Sequence, residues 1–168
     1  TLFRSHKYFK RVFELEKVAD RAVNASFADD FPYLLTSEKS LKQLSSQVGK
    51  QLEMIRFRPN IVINSNEESL KPFDEDTFFC MQFADKLKMY NVKPCSRCAI
   101  PTIDPSTATL EPVLMAQYKK YRAGLDFDDE PLFGANLASE PVKEAHELKV
   151  GDKVTVLEYQ QGPRIGSK

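Results

Sequence analysis

Apolar residues recur along this chain mostly in strand-length runs, with two stretches at helical spacing. From Tyr8 to Val18, Phe9, Phe13 and Leu15 stand among Lys and Glu, which predicts a strand exposed on one side. Phe31 to Leu35 is a short apolar run that predicts a buried strand, and Thr36 to Ser40 a polar turn after it. Ser40 followed by Gln43 has the form of a capping box, in which each side chain satisfies a free backbone donor. Leu41, Leu44 and Val48 then share a helical face, with Gly49 as the stop. Arg56 to Pro59 is predicted extended before its proline. The β-branched run within Asn60 to Asn64 predicts a core strand.

Lys71 to Asp76 reads as a loop, and Thr77 to Val92 fits either strands or a helix. Pro94, Pro101 and Pro105 make their stretch a shaped loop with extended pieces. A helix is predicted over Glu111 to Ala123, with Pro112 in its first turn, Leu114, Tyr118 and Tyr121 on one face, and Gly124 ending it. Asp126 to Glu130 is an acidic, exposed segment. Leu132-Phe133-Gly134 reads as core strand, its glycine serving a bulge or a close backbone approach. Lys149 to Lys153 predicts a tight turn before a strand over Val154 to Tyr159, and Gln160 to Lys168 a frayed tail. Together these elements describe a strand-dominated α+β domain.

Composition narrows the function classes. With 168 residues, 42% hydrophobic and 29% charged, the chain suits one globular domain with a substantial core. Lys plus Arg total 24 and Asp plus Glu total 24. A balanced charge provides no long-range field to gather nucleic acid or anionic lipid, so any anion must be held by locally placed basic groups. Cys80, Cys95 and Cys98 are too few for a disulfide framework and suit a reducing, intracellular compartment. No apolar run has transmembrane length. The start lacks both a signal-peptide core and an initiator Met, which leaves room for an upstream targeting or anchoring segment.

Two stretches stand out chemically. In Pro94-Cys95-Ser96-Arg97-Cys98 the cysteine spacing admits a zinc site, a redox pair or two small buried thiols. A closed zinc site needs four ligands, and the sequence has no second cysteine pair. A redox pair normally starts a helix, which Pro101 opposes. Arg97 beside Cys98, with Lys93 nearby, favours a thiolate that could bind a soft metal. In Arg56-Phe57-Arg58-Pro59-Asn60 the alternating arginines would point the same way on an extended chain and suit a phosphate. Asn60 offers a donor and an acceptor to a heterocycle edge. The commoner outcome for such residues is a solvated strand end, with Arg58 paired to a carboxylate and Asn60 at a turn. Asp74-Glu75-Asp76 admits a hard cation, an exposed loop or pairing with these arginines.

In order along the chain, these stretches resemble the MOSC family, named for the C-terminal domain of molybdenum cofactor sulfurase. The resemblance rests on Phe31-Pro32-Tyr33-Leu34-Leu35-Thr36 with Ser40-Leu41, on Phe57-Arg58-Pro59-Asn60-Ile61-Val62-Ile63, and on Phe73 with Glu75-Asp76. It continues through Cys95-Ser96-Arg97-Cys98, Thr102-Ile103-Asp104-Pro105, Pro131-Leu132-Phe133-Gly134 and Val150-Gly151-Asp152-Lys153-Val154. Within the family the likeness is to amidoxime-reducing components. It implies a MOSC-type β-barrel over residues 31–159 with a few peripheral helices, a remnant of an N-terminal β-rich region over 1–30, and a flexible tail over 160–168.

The resemblance further implies a molybdenum–molybdopterin cofactor with Cys98 as metal ligand and catalytic residue. Arg58, Asn60 and Arg97 would hold the pterin and its phosphate, with Thr36, Ser37 and Ser40 as further candidates. The implied activity is reduction of small N-hydroxylated compounds, with electrons from a haem donor such as cytochrome b5 and its reductase, in mitochondria. The alternative is a non-redox cofactor carrier or sulfurase-type module, which an upstream pyridoxal-phosphate lyase domain would mark.

Overall fold

The computed structural model describes residues 31–65, 70–140 and 145–166. The strand expected at Tyr8 to Val18, and the N-terminal region 1–30 as a whole, lie outside these residues.

Strand β1 (Tyr33–Ser37) runs directly into helix α1 (Glu38–Val48), with no intervening turn. Ser37 is the extended residue ahead of the helix, φ −122° and ψ 140°, so the helix starts before the expected capping box. The box fails because the Ser40 hydroxyl is drawn into the interior, where it donates to Glu75 Oε2 at 2.8 Å. Glu38 in the first turn complements the helix dipole instead. Gly49 ends α1 as expected, in the left-handed conformation at φ 70°, its amide meeting carbonyls of the last turn.

The chain then forms a 3₁₀ turn (Met54–Phe57) where an extended segment was expected. Strand β2 (Ile61–Ile63) lies parallel to β1, with Leu35 opposite Ile61, so α1 serves as the crossover that parallel strands require. A second 3₁₀ turn (Asp74–Thr77) leads into β3 (Phe78–Phe83) and β4 (Leu87–Ser96), which resolves the ambiguous stretch as an antiparallel hairpin. Ala84 and Asp85 are both left-handed, at φ 50° and 54°, the backbone that a tight hairpin turn needs. Helix α2 (Pro112–Arg122) follows close to the predicted span and buries Leu114 and Tyr118, but Tyr121 is only half-buried. The helix ends at an Ala123 cap, Gly124 belonging to the next strand instead of serving as the stop. Then come β5 (Ala123–Gly124), β6 (Leu132–Ser139), β7 (Val154–Tyr159) and β8 (Ile165–Gly166).

Six strands form one sheet in the order β2-β1-β6-β4-β3-β7, curled into a half-barrel. Its curvature coincides with register shifts in β3 against β7 and in β4 against β6, since an extra residue bends the bulged strand. Pro94, which has no amide to donate, sits at one of these shifts. One apolar cluster includes Leu35, Met81, Phe83, Met89 and Leu137. A second, under the helices, joins Leu44, Leu52, Phe57, Leu114, Tyr118 and Phe133.

Gly134 fulfils the close-approach expectation. At φ +85°, a Cβ there would lie 2.6 Å from the Leu35 carbonyl oxygen. The expected frayed tail is instead paired. Strand β8 pairs with β5, Leu125 N–H donates to Arg164 O at 2.9 Å, and Gln160 N–H to Thr77 O at 2.7 Å.

Candidate functional site

Strand β4 carries Pro94 to Ser96, so the proline-shaped loop begins later than expected. Past Ser96 the chain leaves the sheet, with Arg97 N–H held on Pro131 O at 2.8 Å. A 3₁₀ turn (Ile100–Thr102) then starts, with Pro101 in its opening turn and Thr102 Oγ1 donating to Ala99 O at 2.6 Å. Cys98 falls between these two fixed points and is exposed, Cys95 is half-buried and Cys80 is buried. The reading of Cys95 and Cys98 as two buried thiols is therefore overturned. Among the described residues, no group of three or more His, Cys, Asp or Glu converges as a metal site.

Arg97 does not turn toward its neighbour Cys98. Its Nη1 donates to Cys95 Sγ at 2.9 Å and its Nη2 to Phe57 O at 2.9 Å, while the guanidinium lies 5.8 Å from the centre of the Phe57 ring. Its Nε is buried without a hydrogen-bond partner among the described residues. Lys93 lies over Phe31, 5.4 Å from the ring centre.

The arginine pair expected to point one way is split by the 3₁₀ turn, because a tight helical turn does not preserve strand alternation. Arg56 is buried. Its Nη1 donates to Ile103 O at 3.1 Å and Glu111 Oε2 at 2.9 Å, and its Nη2 to Asp104 Oδ2 at 3.1 Å. It organises the interior, with both hydrogens of Nη1 and one of Nη2 committed to these acceptors. Arg58 is exposed and forms no side-chain hydrogen bond or ion pair among the described residues. Its backbone is left-handed, φ 54° and ψ 46°. The following Pro59 disfavours right-handed helix at this position, and a left-handed non-glycine residue stores about 1–3 kcal/mol. Asn60 is exposed too. Its Oδ1 accepts from Leu34 N–H at 2.8 Å and its own N–H donates to Leu34 O at 3.0 Å, which fixes the side chain and leaves its amide donors without a partner among the described residues.

The structure thus brings Cys98 and Arg58 into relation through one contact. Arg97 precedes Cys98, Phe57 precedes Arg58, and the Arg97–Phe57 carbonyl bond joins the two segments. A soft sulfur, a guanidinium and a carboxamide, all exposed and the latter two with donors that meet no partner among the described residues, suit a ligand with a thiophilic metal and an anionic arm.

Thr36, Ser37 and Ser40 lie wholly buried. Thr36 Oγ1 contacts Met54 Sδ at 3.2 Å, and Ser37 Oγ has no hydrogen-bond partner among the described residues. Ser40, expected to face the cofactor, has an internal assignment instead: its hydroxyl donates to Glu75 and accepts from Phe73 N–H at 2.8 Å.

Asp74-Glu75-Asp76 is not an exposed loop. Glu75 and Asp76 are buried, and Asp76 pairs with Arg122 at 2.6 Å rather than with Arg56 or Arg58. Arg122 also donates to Leu132 O at 2.9 Å and stacks on Phe73 at 4.0 Å. Burial pushes the Glu75 carboxyl up to about 7, against the opposing hydrogen bond from Ser40, and Asp76 adds to the rise. Sequence reasoning missed Arg122 altogether. The available signal was its position four residues after Tyr118, on the face of α2 that packs inward.

A family model for the MOSC domain matches residues 23–155. Human mitochondrial amidoxime-reducing component 1 is 29% identical over 163 residues, 92% of this chain and 45% of that protein. Rat mitochondrial amidoxime reducing component 2 is 34% identical over 137 residues, 77% of this chain and 38% of its own length. The molybdenum cofactor sulfurase of Caenorhabditis elegans is 34% identical over 99 residues, 58% of this chain but 13% of that protein. The chain therefore spans less than half the length of the curated relatives it matches. The family model covers most of the chain, the half-barrel with its cysteine loop and Arg58 turn included; the chain belongs to the MOSC domain family.

Proposed function

We propose that this domain holds a molybdenum–molybdopterin cofactor through the Cys98 thiolate and reduces small N-hydroxylated compounds. The observation that carries this reading is the exposed Cys98 sulfur on a loop bonded, through Arg97 and the Phe57 carbonyl, to the turn bearing Arg58. The names of the relatives, amidoxime-reducing components and a cofactor sulfurase, support the cofactor and the reaction class.

When bound, the molybdenum–pterin group supplies two-electron removal of the N-hydroxyl oxygen; the protein supplies binding and orientation. Cys98 provides one thiolate ligand. Arg58 offers its guanidinium to the pterin phosphate as a two-pronged donor, and Asn60, held by Leu34, offers its amide hydrogens to the heterocycle edge. Thr36 and Ser37, at the carboxyl end of β1, are buried, and Thr36 touches Met54 in the turn that leads to Arg58. Electrons return from a haem donor of the cytochrome b5 type with its reductase, and the relatives' names favour a mitochondrial setting. The match to the sulfurase favours a second reading, a non-redox module that carries the cofactor or its sulfur. The pyridoxal-phosphate lyase activity expected of a complete sulfurase would belong to another domain.

The test is to make the longest natural form of the protein in a cofactor-producing host and measure molybdenum, pterin and amidoxime reduction. Stoichiometric metal with turnover is expected, and Cys98→Ser should lose the metal. A Cys98→Ser protein that keeps molybdenum and still reduces an amidoxime would refute the ligand role. Metal without turnover, using a chemical or haem-protein reductant, would favour the carrier.

A further inference from the structure

We infer that Arg97 is a positioning residue rather than an anion clamp: it is a strut seated on Cys95 that holds the Cys98 loop against the Arg58 turn. The inference rests on the proposed cofactor reading only for its consequence in cofactor retention; the strut itself stands on geometry.

An arginine that grips a phosphate needs donors directed outward in a fork. Here each terminal nitrogen already has one hydrogen committed within the protein, Nη1 to Cys95 Sγ and Nη2 to Phe57 O, each at 2.9 Å, and Nε is buried, so the full fork is not free for an anion. The flat guanidinium also rests on the Phe57 ring, 5.8 Å from its centre. Phe57 is itself immobilised: it is wholly buried, 4.1 Å from the Phe133 ring centre and 5.9 Å from that of Tyr118. One end of the strut therefore stands on β4 at Cys95, and the other on a core-anchored carbonyl. The peptide that carries this carbonyl also carries the Arg58 nitrogen, so the strut acts within one residue of Arg58 and one residue of Cys98.

This gives Cys95 a role that the sequence left blank. Its sulfur is the acceptor that orients the guanidinium. The requirement is for an acceptor at the end of a short side chain, which serine supplies and alanine does not. At the other partner the requirement is for a planar group that spans two acceptors. A single ammonium on a flexible stem does not reproduce that fork, so charge alone is insufficient at position 97.

The experiment compares Arg97→Ala, Arg97→Lys, Cys95→Ala, Cys95→Ser and the Cys95/Arg97 double alanine variant in the longest natural form. The first readout, on cofactor-free protein, is hydrogen exchange at the Arg58 and Asn60 amides together with the rate of Cys98 alkylation by iodoacetamide. Arg97→Ala, Arg97→Lys and Cys95→Ala should each speed exchange at those amides by about tenfold, the size expected for losing a charge-assisted hydrogen bond. They should also alter the Cys98 alkylation rate. Cys95→Ser should restore both, and the double variant should be no worse than Arg97→Ala.

The second readout is molybdenum per chain after expression in a cofactor-producing host, which should follow the same order. An anion clamp gives a different pattern: on cofactor-free protein none of the variants changes exchange or alkylation, and in the molybdenum readout Arg97→Ala loses metal while Cys95→Ala is indistinguishable from the unaltered protein. That outcome would overturn the strut. If the unaltered protein binds no molybdenum, the cofactor reading fails, while exchange and alkylation still decide the role of Arg97.

Discussion

Ser40 and Glu75 meet 2.8 Å apart, hydroxyl to carboxylate, where neither side chain reaches solvent. The contact joins α1 to the turn before β3, and it carries a titration. Burial holds the Glu75 carboxyl up near 7 against an ordinary 4.5, with the Asp76 charge adding to the rise and the Ser40 bond opposing it. A raised acid binds its proton more tightly folded than unfolded. Its favourable contribution is therefore complete below about pH 4.5 and is lost as pH rises through about 7.

The stability difference between pH 4.5 and pH 8 attributable to this group is of order 3 kcal/mol. Glu75→Gln keeps an acceptor for Ser40 but cannot titrate. Urea unfolding across that range should show the unaltered protein losing stability relative to Glu75→Gln as pH rises. Parallel pH profiles for the two proteins would exclude a titrating Glu75.

Arg56 supports the cysteine loop from below without facing a ligand. It joins the turn before β2 to Ile103, Asp104 and Glu111, and Glu111 is also paired with Lys50. Removing Arg56 leaves these acidic partners without their shared cation in a partly closed setting. Arg56→Ala should therefore cost about 3 kcal/mol, towards the lower end for a buried pair because Asp104 and Glu111 keep some solvent contact. The midpoint of denaturant unfolding measures this. A loss below about 1 kcal/mol would show the cluster to be no more than a surface ion pair.

The fold was legible where local chemistry decides it. Gly49 stops α1, and Leu114 and Tyr118 bury one face of α2, because period and cap residues act within a few positions. Residues 54–57 were not legible. Their 3₁₀ turn is secured by Arg56 reaching acceptors at 103, 104 and 111, a distance no local pattern encodes. The capping box at Ser40 misled for the same reason, since Glu75, 35 positions away, takes its hydroxyl. The tail from Gln160 is polar, yet it pairs because β5 and Thr77 present backbone partners to it. At the candidate site, Cys98 and Arg58 were singled out as candidates by motif order. The bond from Arg97 to Cys95 is set by how the loop folds back on β4, whereas adjacency in sequence pointed to Cys98 instead.

Gly134 tests the close junction between β1 and β6. A Cβ at this residue would meet the Leu35 carbonyl at 2.6 Å and the Thr36 Cγ2 at 2.9 Å, and the backbone is left-handed. Gly134→Ala should destabilise by about 2–4 kcal/mol, combining conformational strain with overpacking against backbone that cannot yield. Gly151 is also left-handed, at φ +97°, but has open space around it. Gly151→Ala should therefore cost only the conformational part, about 1 kcal/mol. Thermal or urea unfolding of the two variants side by side checks the difference, and equal losses would show that the close approach at Gly134 is not rigid.

The three thiols differ in exposure, and that difference predicts an order of modification. Cys98 is exposed, Cys95 is half-buried with Arg97 on its sulfur, and Cys80 is buried between strands with its thiol pushed up by burial. Thiolate is the reacting form, so burial and a raised pKa both protect Cys80. Under native conditions iodoacetamide should label Cys98 first and Cys95 more slowly, with Cys80 labelled only on unfolding, as peptide mass mapping over time would show. Arg97→Ala should bring Cys95 labelling closer to that of Cys98, since the guanidinium that covers its sulfur is gone. If Cys95 reacts ahead of Cys98 in the unaltered protein, the loop does not present Cys98 outward, and the sulfur proposed as the metal ligand is the wrong one.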